Sequence, residues 1–283
     1  MKTRCILTLC ALLAACGPAS AALTPAEPKT VWDRIMLEQS AVNLKRGYAM
    51  MEREDYAGAA DEFFLAAQKD PASPWPRLLY GSALYWLGSP DKAVDEFEAA
   101  LKLDPSNANA YQLRGIVRAR EARYQDALAD FLAAEKLDGS RADVKMNAGS
   151  VYQALGDPAK ALDYFREAAA LDPSNPLYRY QLGMLYSRLG RYDQAEVQLK
   201  KAVSLLPTYE DAILELAVLR DRDGRLPEAV KLYRRAVDVK PGDSVARFRL
   251  AWALRRSGRQ KEVPGVIGRA FLLAPANEQG GGS

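Results

Sequence analysis

Residues 74–107 read PWPRLLYGSALYWLGSPDKAVDEFEAALKLDPSN, and the spacing of small and large residues in this stretch recurs along most of the chain. Two runs with apolar residues at helical spacing are separated by Leu87-Gly88-Ser89-Pro90. Glycine supplies a positive φ at the end of a helix, and proline suits the first turn of the next one. The stretch therefore predicts a helix, a tight turn and a second helix.

Proline marks one phase of a 34-residue period, and Gly139 fills the one missing place. The prolines are Pro71, Pro105, Pro173, Pro207, Pro241 and Pro275. With this phase as position 32, the chain divides into the repeats 40–73, 74–107, 108–141, 142–175, 176–209, 210–243 and 244–277. Proline at position 32 ends the second helix because it cannot donate the next backbone hydrogen bond.

Three further positions keep the same phase. Position 8 is small: Gly47, Gly81, Gly115, Gly149, Gly183, Ala217 and Ala251. Position 20 is alanine from Ala59 to Ala229 and then Val263, and position 24 is large from Phe63 to Ile267. Small residues let the two helices of a hairpin approach closely, and the large residue at position 24 is expected to fill the gap between hairpins.

This period and these positions resemble the tetratricopeptide-repeat (TPR) family over about residues 40–275. The resemblance implies an all-α fold, a right-handed superhelical solenoid of about seven helix-turn-helix repeats that occupies residues 31–275. In each repeat, helix A covers positions 1–14 and helix B covers positions 17–30. The amphipathic segment Val31–Gln39 runs into repeat one without a break, so we expect it to lengthen the first helix or to cap the solenoid.

Repeat seven departs from the pattern. Pro264 and Gly265 fall inside its helix B, where an interior proline costs about 3 kcal/mol. We therefore expect this helix to be short or to begin near Val263. Residues 276–283 are expected to be a disordered tail. The last apolar face would then be covered by a partner, covered by a second copy, or left open.

The first sixteen residues have the pattern of an export signal. A basic start is followed by an apolar run, 5–15, that is too short to cross the roughly 30 Å core of a bilayer. Leu13-Ala14-Ala15-Cys16-Gly17 resembles the lipobox of bacterial lipoproteins, which implies that residues 1–15 are removed and that Cys16 is acylated. Residues 16–30 would be a lipidated flexible tether. The alternative is an ordinary secretory signal cut after Ala21.

The composition excludes several kinds of chemistry. The chain has no histidine, and its three cysteines all lie within the first sixteen residues, at Cys5, Cys10 and Cys16. Histidine-dependent catalysis and cysteine or histidine metal sites in the repeats are therefore excluded. The repeats occupy the chain and contain no glycine-rich phosphate loop. We expect no enzymatic activity, no cofactor, no metal and no nucleic-acid partner.

The family resemblance implies that A helices line a concave groove with positions 2, 5, 9, 12 and 13. At these positions the side chains that could contact a partner are Tyr48, Met51, Trp75, Leu78, Tyr85, Trp86, Tyr180, Trp252, Arg255 and Arg256, with Leu44 and Phe248 beside them. They favour an anchor site for a partner helix or an extended peptide. For Trp75 and Trp86 the alternative remains open that the rings pack on a neighbouring helix.

Charge is uneven along the repeats. Residues 40–107 carry 7 basic and 11 acidic side chains, whereas residues 210–277 carry 14 and 9. The basic end could face an anionic partner, or it could be a solvated surface with ordinary ion pairs.

The leading hypothesis is a lipid-anchored scaffold or assembly factor, at the outer membrane and facing the periplasm, that binds envelope proteins or peptides. The build resembles TPR lipoproteins that support pilus assembly, including pilotins, and other envelope scaffolds. Self-association through the uncapped C-terminal end is a further possibility. The alternative function is binding of peptidoglycan or exopolysaccharide, with aromatic rings stacked on sugars. The alternative location is soluble, either periplasmic or secreted.

Overall fold

The computed structural model describes residues 31–268. The predicted signal peptide, the tether with Cys16, and the tail lie outside these residues. Within the described range the chain forms fourteen α-helices, one short 3-10 helix and no strand. The predicted all-α fold of helix-turn-helix repeats is confirmed.

The helices alternate along the chain between A helices and B helices. The A helices are α1 (Val31–Glu52), α3 (Pro74–Trp86), α5 (Ala108–Arg120), α7 (Ala142–Ala154), α9 (Pro176–Arg188), α11 (Glu210–Arg222) and α13 (Ser244–Arg256). The B helices are α2 (Tyr56–Lys69), α4 (Pro90–Leu103), α6 (Tyr124–Leu137), α8 (Pro158–Leu171), α10 (Tyr192–Leu205), α12 (Leu226–Val239) and α14 (Val263–Ile267).

The chain divides into two compact units between Val117 and Arg118. In the first unit, α1 pairs with α2 and α3 with α4, and α2 packs on α3. In the second unit, the hairpins α7–α8, α9–α10 and α11–α12 follow one another, and α12 packs on α13. Each hairpin buries its apolar stripe against the next one, which is why a repeat array needs no single central core.

The core of each hairpin is a large side chain under a small one. Phe97 on α4 lies beneath Gly81 on α3, and a β-carbon on that glycine would be 2.7 Å from Cε1 of Phe97. Gly149 and Phe165 repeat this contact at 2.7 Å, and Gly183 and Leu199 do so at 2.8 Å. The large residue at position 24 therefore contacts position 8 inside one hairpin, whereas the sequence placed it in the gap between hairpins.

Glycine ends most A helices with a positive φ at position 15. Gly88, Gly156, Gly190, Gly224 and Gly258 have φ between 72° and 80°. Repeats one and three lack glycine at this position, and Glu54 and Ala122 adopt φ values of 61° and 60° there. The turn therefore keeps one conformation regardless of the residue that occupies it.

The two ends of the described chain differ from the inner repeats. Helix α1 is continuous from Val31 to Glu52, so the segment before repeat one lengthens the first helix. In repeat seven, helix B is replaced by a 3-10 turn, Gln260–Glu262, and by the five-residue α14, which begins at Val263. No helix within 31–268 is long and apolar enough to span a lipid bilayer.

Candidate protein-binding surfaces

In the second unit, side chains at positions 5 and 9 of an A helix pack with residues of the following A helix. Met146 at position 5 of α7 packs with Tyr178 at position 3 of α9. Leu214 and Val218, at positions 5 and 9 of α11, pack against a cluster that includes Leu250 and Ala253 of α13. These positions are therefore contacts between repeats as well as part of the predicted groove.

Several aromatic side chains of the first unit pack together. Tyr48 meets the edge of Phe63 with ring centroids 5.7 Å apart. Tyr56 stacks on Trp86 at 5.7 Å, and Tyr85 meets Trp86 at 5.5 Å. The ring of Phe63 is buried and the other four rings are half-buried, so the cluster does not form an open apolar surface.

Two residues of the predicted groove belong to the core. Leu78 is completely buried and packs with Phe97 and Leu113, because the helix α5 lies over it. Met51 is buried with Phe63 and Leu79. Their side chains are therefore unavailable to a partner, which corrects the inclusion of Leu78 and Met51 among the groove residues.

The side chains of Trp75 and Trp86 are neither fully buried nor fully exposed to solvent. Both pack against the cluster that contains Leu79 and Ala83, and both remain half-buried. Most of the surface of each ring is therefore packed against neighbouring helices, as the alternative interpretation predicted. In the second unit, Tyr180 is likewise half-buried and lies with its ring centroid 5.1 Å from that of Tyr209.

Among the A helices after α1, only α13 has exposed large apolar residues in the described chain; α1 itself exposes Val31, Trp32, Met36 and Val42. Val245, Phe248 and Trp252 are 54%, 66% and 52% exposed, and their spacing of three and four residues places them on one side of α13. Trp252 and Phe248 are visible in the sequence as large residues at positions 9 and 5. Val245 occupies position 2, which is also a predicted groove position, but it was not among the candidate residues.

The same helix is strongly basic. It contains Arg247, Arg249, Arg255 and Arg256 and no acidic residue. The guanidinium of Arg256 forms an ion pair with Asp221 of α11, and Arg249 donates to the hydroxyl of Tyr233. Within residues 31–268 the guanidinium of Arg255 has no hydrogen bond or ion pair. It therefore stands beside Trp252 as an unpaired charge in the described chain.

Most other arginines toward this end are paired, as expected for a surface with ordinary ion pairs. Arg234 pairs with Glu262, and Arg225 pairs with Glu228 at 2.7 Å. Arg220, which is 3% exposed, binds the carboxylate of Glu196. The hydrogen bonds from Arg220 hold the pKa of Glu196 at about 2. These pairs reduce the positive charge that α12 and its neighbours offer to a partner.

Burial shifts two further groups in the second unit. It raises the pKa of Tyr178 to about 12, and it raises the pKa of Glu215 while the nearby charges of Arg249 and Arg188 act in the opposite direction. Within residues 31–268, no three acidic or cysteine side chains cluster in a way that could hold a metal ion.

Comparison with known proteins supports the repeat assignment. Residues 50–116, 140–208 and 214–262, together well over half of the chain, each match a family model described as tetratricopeptide repeat. No curated protein matches the sequence.

Several solved structures share the fold. YrrB, described as a TPR protein with an unusual peptide-binding site, is 25% identical, with a TM-score of 0.53, over 70% of this chain and 99% of that chain. A thermophilic TPR protein of Thermus thermophilus is 29% identical, with a TM-score of 0.52, over 65% of this chain and 100% of that chain. The pilF protein of Pseudomonas aeruginosa has a TM-score of 0.67 at 19% identity, over 78% and 99% of the two chains, which shows the fold alone.

Proposed function

Because this chain belongs to the tetratricopeptide-repeat family, we propose that it is a lipid-anchored scaffold that holds partner proteins in the bacterial cell envelope. Repeats of this family generally mediate protein–protein interaction. A peptide-binding site in YrrB, which shares the repeat architecture, supports the same role here.

One observation carries the binding part of the proposal. Three large apolar side chains lie next to one another and are exposed to solvent on α13: Val245, Phe248 and Trp252. Exposed apolar groups in a cluster gain free energy when a partner covers them, by about 25 cal/mol for each Å² that is removed from water. The cluster on α13 is therefore a better docking surface than the half-buried rings of the first unit.

The anchoring part of the proposal rests on the sequence around Cys16. The small residues before this cysteine fit the lipobox pattern, and three acyl chains would fix the protein to a membrane. The expected location is the outer membrane, facing the periplasm. The resemblance to lipoproteins that support pilus assembly makes an assembly factor the specific role that we propose.

The anchor is tested by a Cys16→Ser variant, with Cys10→Ser as the matched control inside the leader. Mass spectrometry of the mature wild-type and Cys10→Ser proteins should find an acylated amino terminus at Cys16. The Cys16→Ser protein should leave the membrane fraction. If all three proteins are processed after Ala21 and stay soluble, the chain is a periplasmic or secreted protein instead.

The binding surface is tested in intact cells with a photo-crosslinking amino acid at position 252. Position 197 provides the control, because Val197 is 49% exposed on the B helix α10 and lies in the same unit. We expect a defined protein adduct at position 252 and none at position 197. Equal crosslinking at both positions, or none at either, would contradict a docking role for α13.

Glycan binding is the second candidate, and Trp252 beside the unpaired Arg255 is the feature that favours it. An aromatic ring can stack on a sugar, and the guanidinium can bind its acidic group. We prefer a protein partner because Leu214 and Val218, the equivalent side chains one repeat earlier, pack against an apolar cluster that includes residues of the next A helix. Co-sedimentation of the purified protein with peptidoglycan at low salt, lost in Trp252→Ala, would reverse this preference.

A further inference from the structure

We propose that the exposed face of α13 binds an acidic amphipathic helix of a partner protein, which packs where the A helix of a following repeat would lie. This inference rests on the proposed scaffold function and specifies the chemistry of the partner. The occupant would have apolar residues at i, i+4 and i+7 and an acidic residue at i+10.

Burial at position 5 distinguishes repeat seven from the six repeats before it. In repeats one to six the residues at this position are buried or half-buried: Leu44, Leu78, Gln112, Met146, Tyr180 and Leu214. In repeat seven the residue is Phe248, which is 66% exposed. Leu214 is partly buried against a cluster that includes Leu250 and Ala253 of α13, whereas no A helix follows Phe248 within the described chain. The surface of α13 is therefore shaped as an interface between repeats.

A covering A helix packs on the preceding repeat with the small and apolar residues at its positions 3, 7 and 10. In α11 the face that packs on the preceding repeat consists of Ala212, Leu216 and Leu219, which are all buried. In α13 the same positions 3, 7 and 10 are Ala246, Leu250 and Ala253, which are buried as well. A partner helix that packs on Val245, Phe248 and Trp252 in the same way needs a small residue at i and apolar residues at i+4 and i+7.

The side chain at position 12 has opposite charge in α11 and α13. Asp221 at position 12 of α11 pairs with Arg256 at position 13 of α13. The residue at position 12 of α13 is Arg255, so the sign of the charge is reversed at this place. A helix packed on α13 would bring its own position 13, ten residues after its position 3, next to Arg255. An aspartate or glutamate there would form a charge-assisted pair.

Charge also argues against a second copy as the occupant. The α1 helix of another copy would bring Glu52, at position 13, toward Arg255. However, it would also bring Lys45, at position 6, toward Arg249, and it would place Arg46, at position 7, where the occupant needs an apolar residue. In the structure the residue that faces Arg249 from position 6 of α11 is Glu215. Two α13 helices facing each other would likewise oppose arginines, because the helix has four and no acidic residue.

The test uses two synthetic peptides that are held helical by a lactam on the far face. Both carry Ala, Leu and Leu at i, i+4 and i+7, as α11 does. The acidic peptide has Glu at i+10, and the basic peptide has Lys there. Binding to the full chain is measured by fluorescence anisotropy of the labelled peptide. We expect the wild-type protein to prefer the acidic peptide by about tenfold, as for one charge-assisted pair worth about 1.4 kcal/mol.

Variants make the test specific. Arg255→Glu should reverse the preference, so that the basic peptide binds more tightly. Arg191→Glu, which changes an exposed arginine on another surface of the same unit, should leave it unchanged. Phe248→Ala with Trp252→Ala should weaken both peptides about tenfold or more, as hot-spot truncations do. Circular dichroism of each variant checks that the fold is kept.

Several results would overturn the inference. Equal affinity of the two peptides, or an unchanged preference in Arg255→Glu, would show that charge does not select the occupant. If acrylamide does not quench the fluorescence of Trp252 in the monomeric protein, then the protein covers this face itself. A concentration-dependent dimer lost in Trp252→Ala, or binding to anionic vesicles in place of either peptide, would identify another occupant. Crosslinking to a protein in cells without peptide selectivity would leave the scaffold function standing and remove only this inference.

Discussion

Gly81 on α3 and Phe97 on α4 are in such close contact that a β-carbon on Gly81 would lie 2.7 Å from Cε1 of the phenylalanine ring. The ring is fully buried, so it cannot move aside into solvent. We therefore predict that Gly81→Ala lowers the free energy of unfolding by about 1–3 kcal/mol, the usual cost of overpacking a core. Urea denaturation followed by circular dichroism measures the change.

The matched control for this prediction is Gly242→Ala. A β-carbon on Gly242 meets no atom within 4 Å, and its φ is not positive. This substitution should be neutral, or stabilising by about 0.4–1 kcal/mol through the unfolded chain. Equal urea midpoints for Gly81→Ala and the wild-type protein would contradict the close contact.

Ala122 holds the positive φ that glycine holds at the same position of most other repeats. We predict that Ala122→Gly stabilises the protein, because an alanine in the left-handed region costs about 1–2 kcal/mol, more than the entropy that glycine loses on folding. The net gain should be about 0.5–1 kcal/mol. The reverse substitution, Gly88→Ala at φ 77°, should destabilise by a similar amount. Effects of the same sign in both variants would refute the conformational explanation.

The pair of Glu196 and Arg220 predicts a dependence of stability on pH. The pKa of Glu196 falls from 4.5 to about 2 in the folded protein, so its carboxylate stabilises the fold above its unfolded pKa. This contribution is lost as the pH falls from about 5 toward 2. At pH 7, Glu196→Gln should destabilise by about 3 kcal/mol, because it leaves Arg220 buried without its main partner.

This pH prediction is checked by urea denaturation of wild type and Glu196→Gln at pH 7, 4 and 2.5. The difference between them should narrow as the pH is lowered. Asp163→Asn is the control, since Asp163 and Arg166 form an exposed pair whose loss should cost less than about 1 kcal/mol. A difference that does not change with pH would mean that the Glu196 charge does not stabilise the fold.

The uncovered state of α13 predicts a contrast between two residues at the same repeat position. Leu78→Ala should cost about 2–5 kcal/mol, as for other buried leucines. Phe248→Ala should change the free energy of unfolding by no more than about 0.5 kcal/mol, as for other exposed side chains. Both follow from urea denaturation. A large loss in Phe248→Ala would show that its ring is covered in solution.

Much of the fold was predictable because the contacts of a repeat are local. Gly81 and Phe97 lie sixteen residues apart, and the same pair recurs as Gly149 and Phe165. The short helix near Val263 was also expected, because Pro264 and Gly265 oppose a longer one. The candidate site was less predictable. Position alone placed Met51, Leu78 and Trp252 in one groove, although the first two are buried and the third is exposed.

The sequence by itself determined the period, the hairpins and their turns, since these depend on residue size and backbone freedom within one repeat. Only the tertiary structure decided which A-helix side chains meet solvent. Leu214 and Phe248 occupy the same position and are both large and apolar, but Leu214 is partly buried against a cluster that includes the next A helix, whereas Phe248 is 66% exposed. The exposure of a residue depends on the element that packs against it, so the type of the residue alone does not determine its exposure.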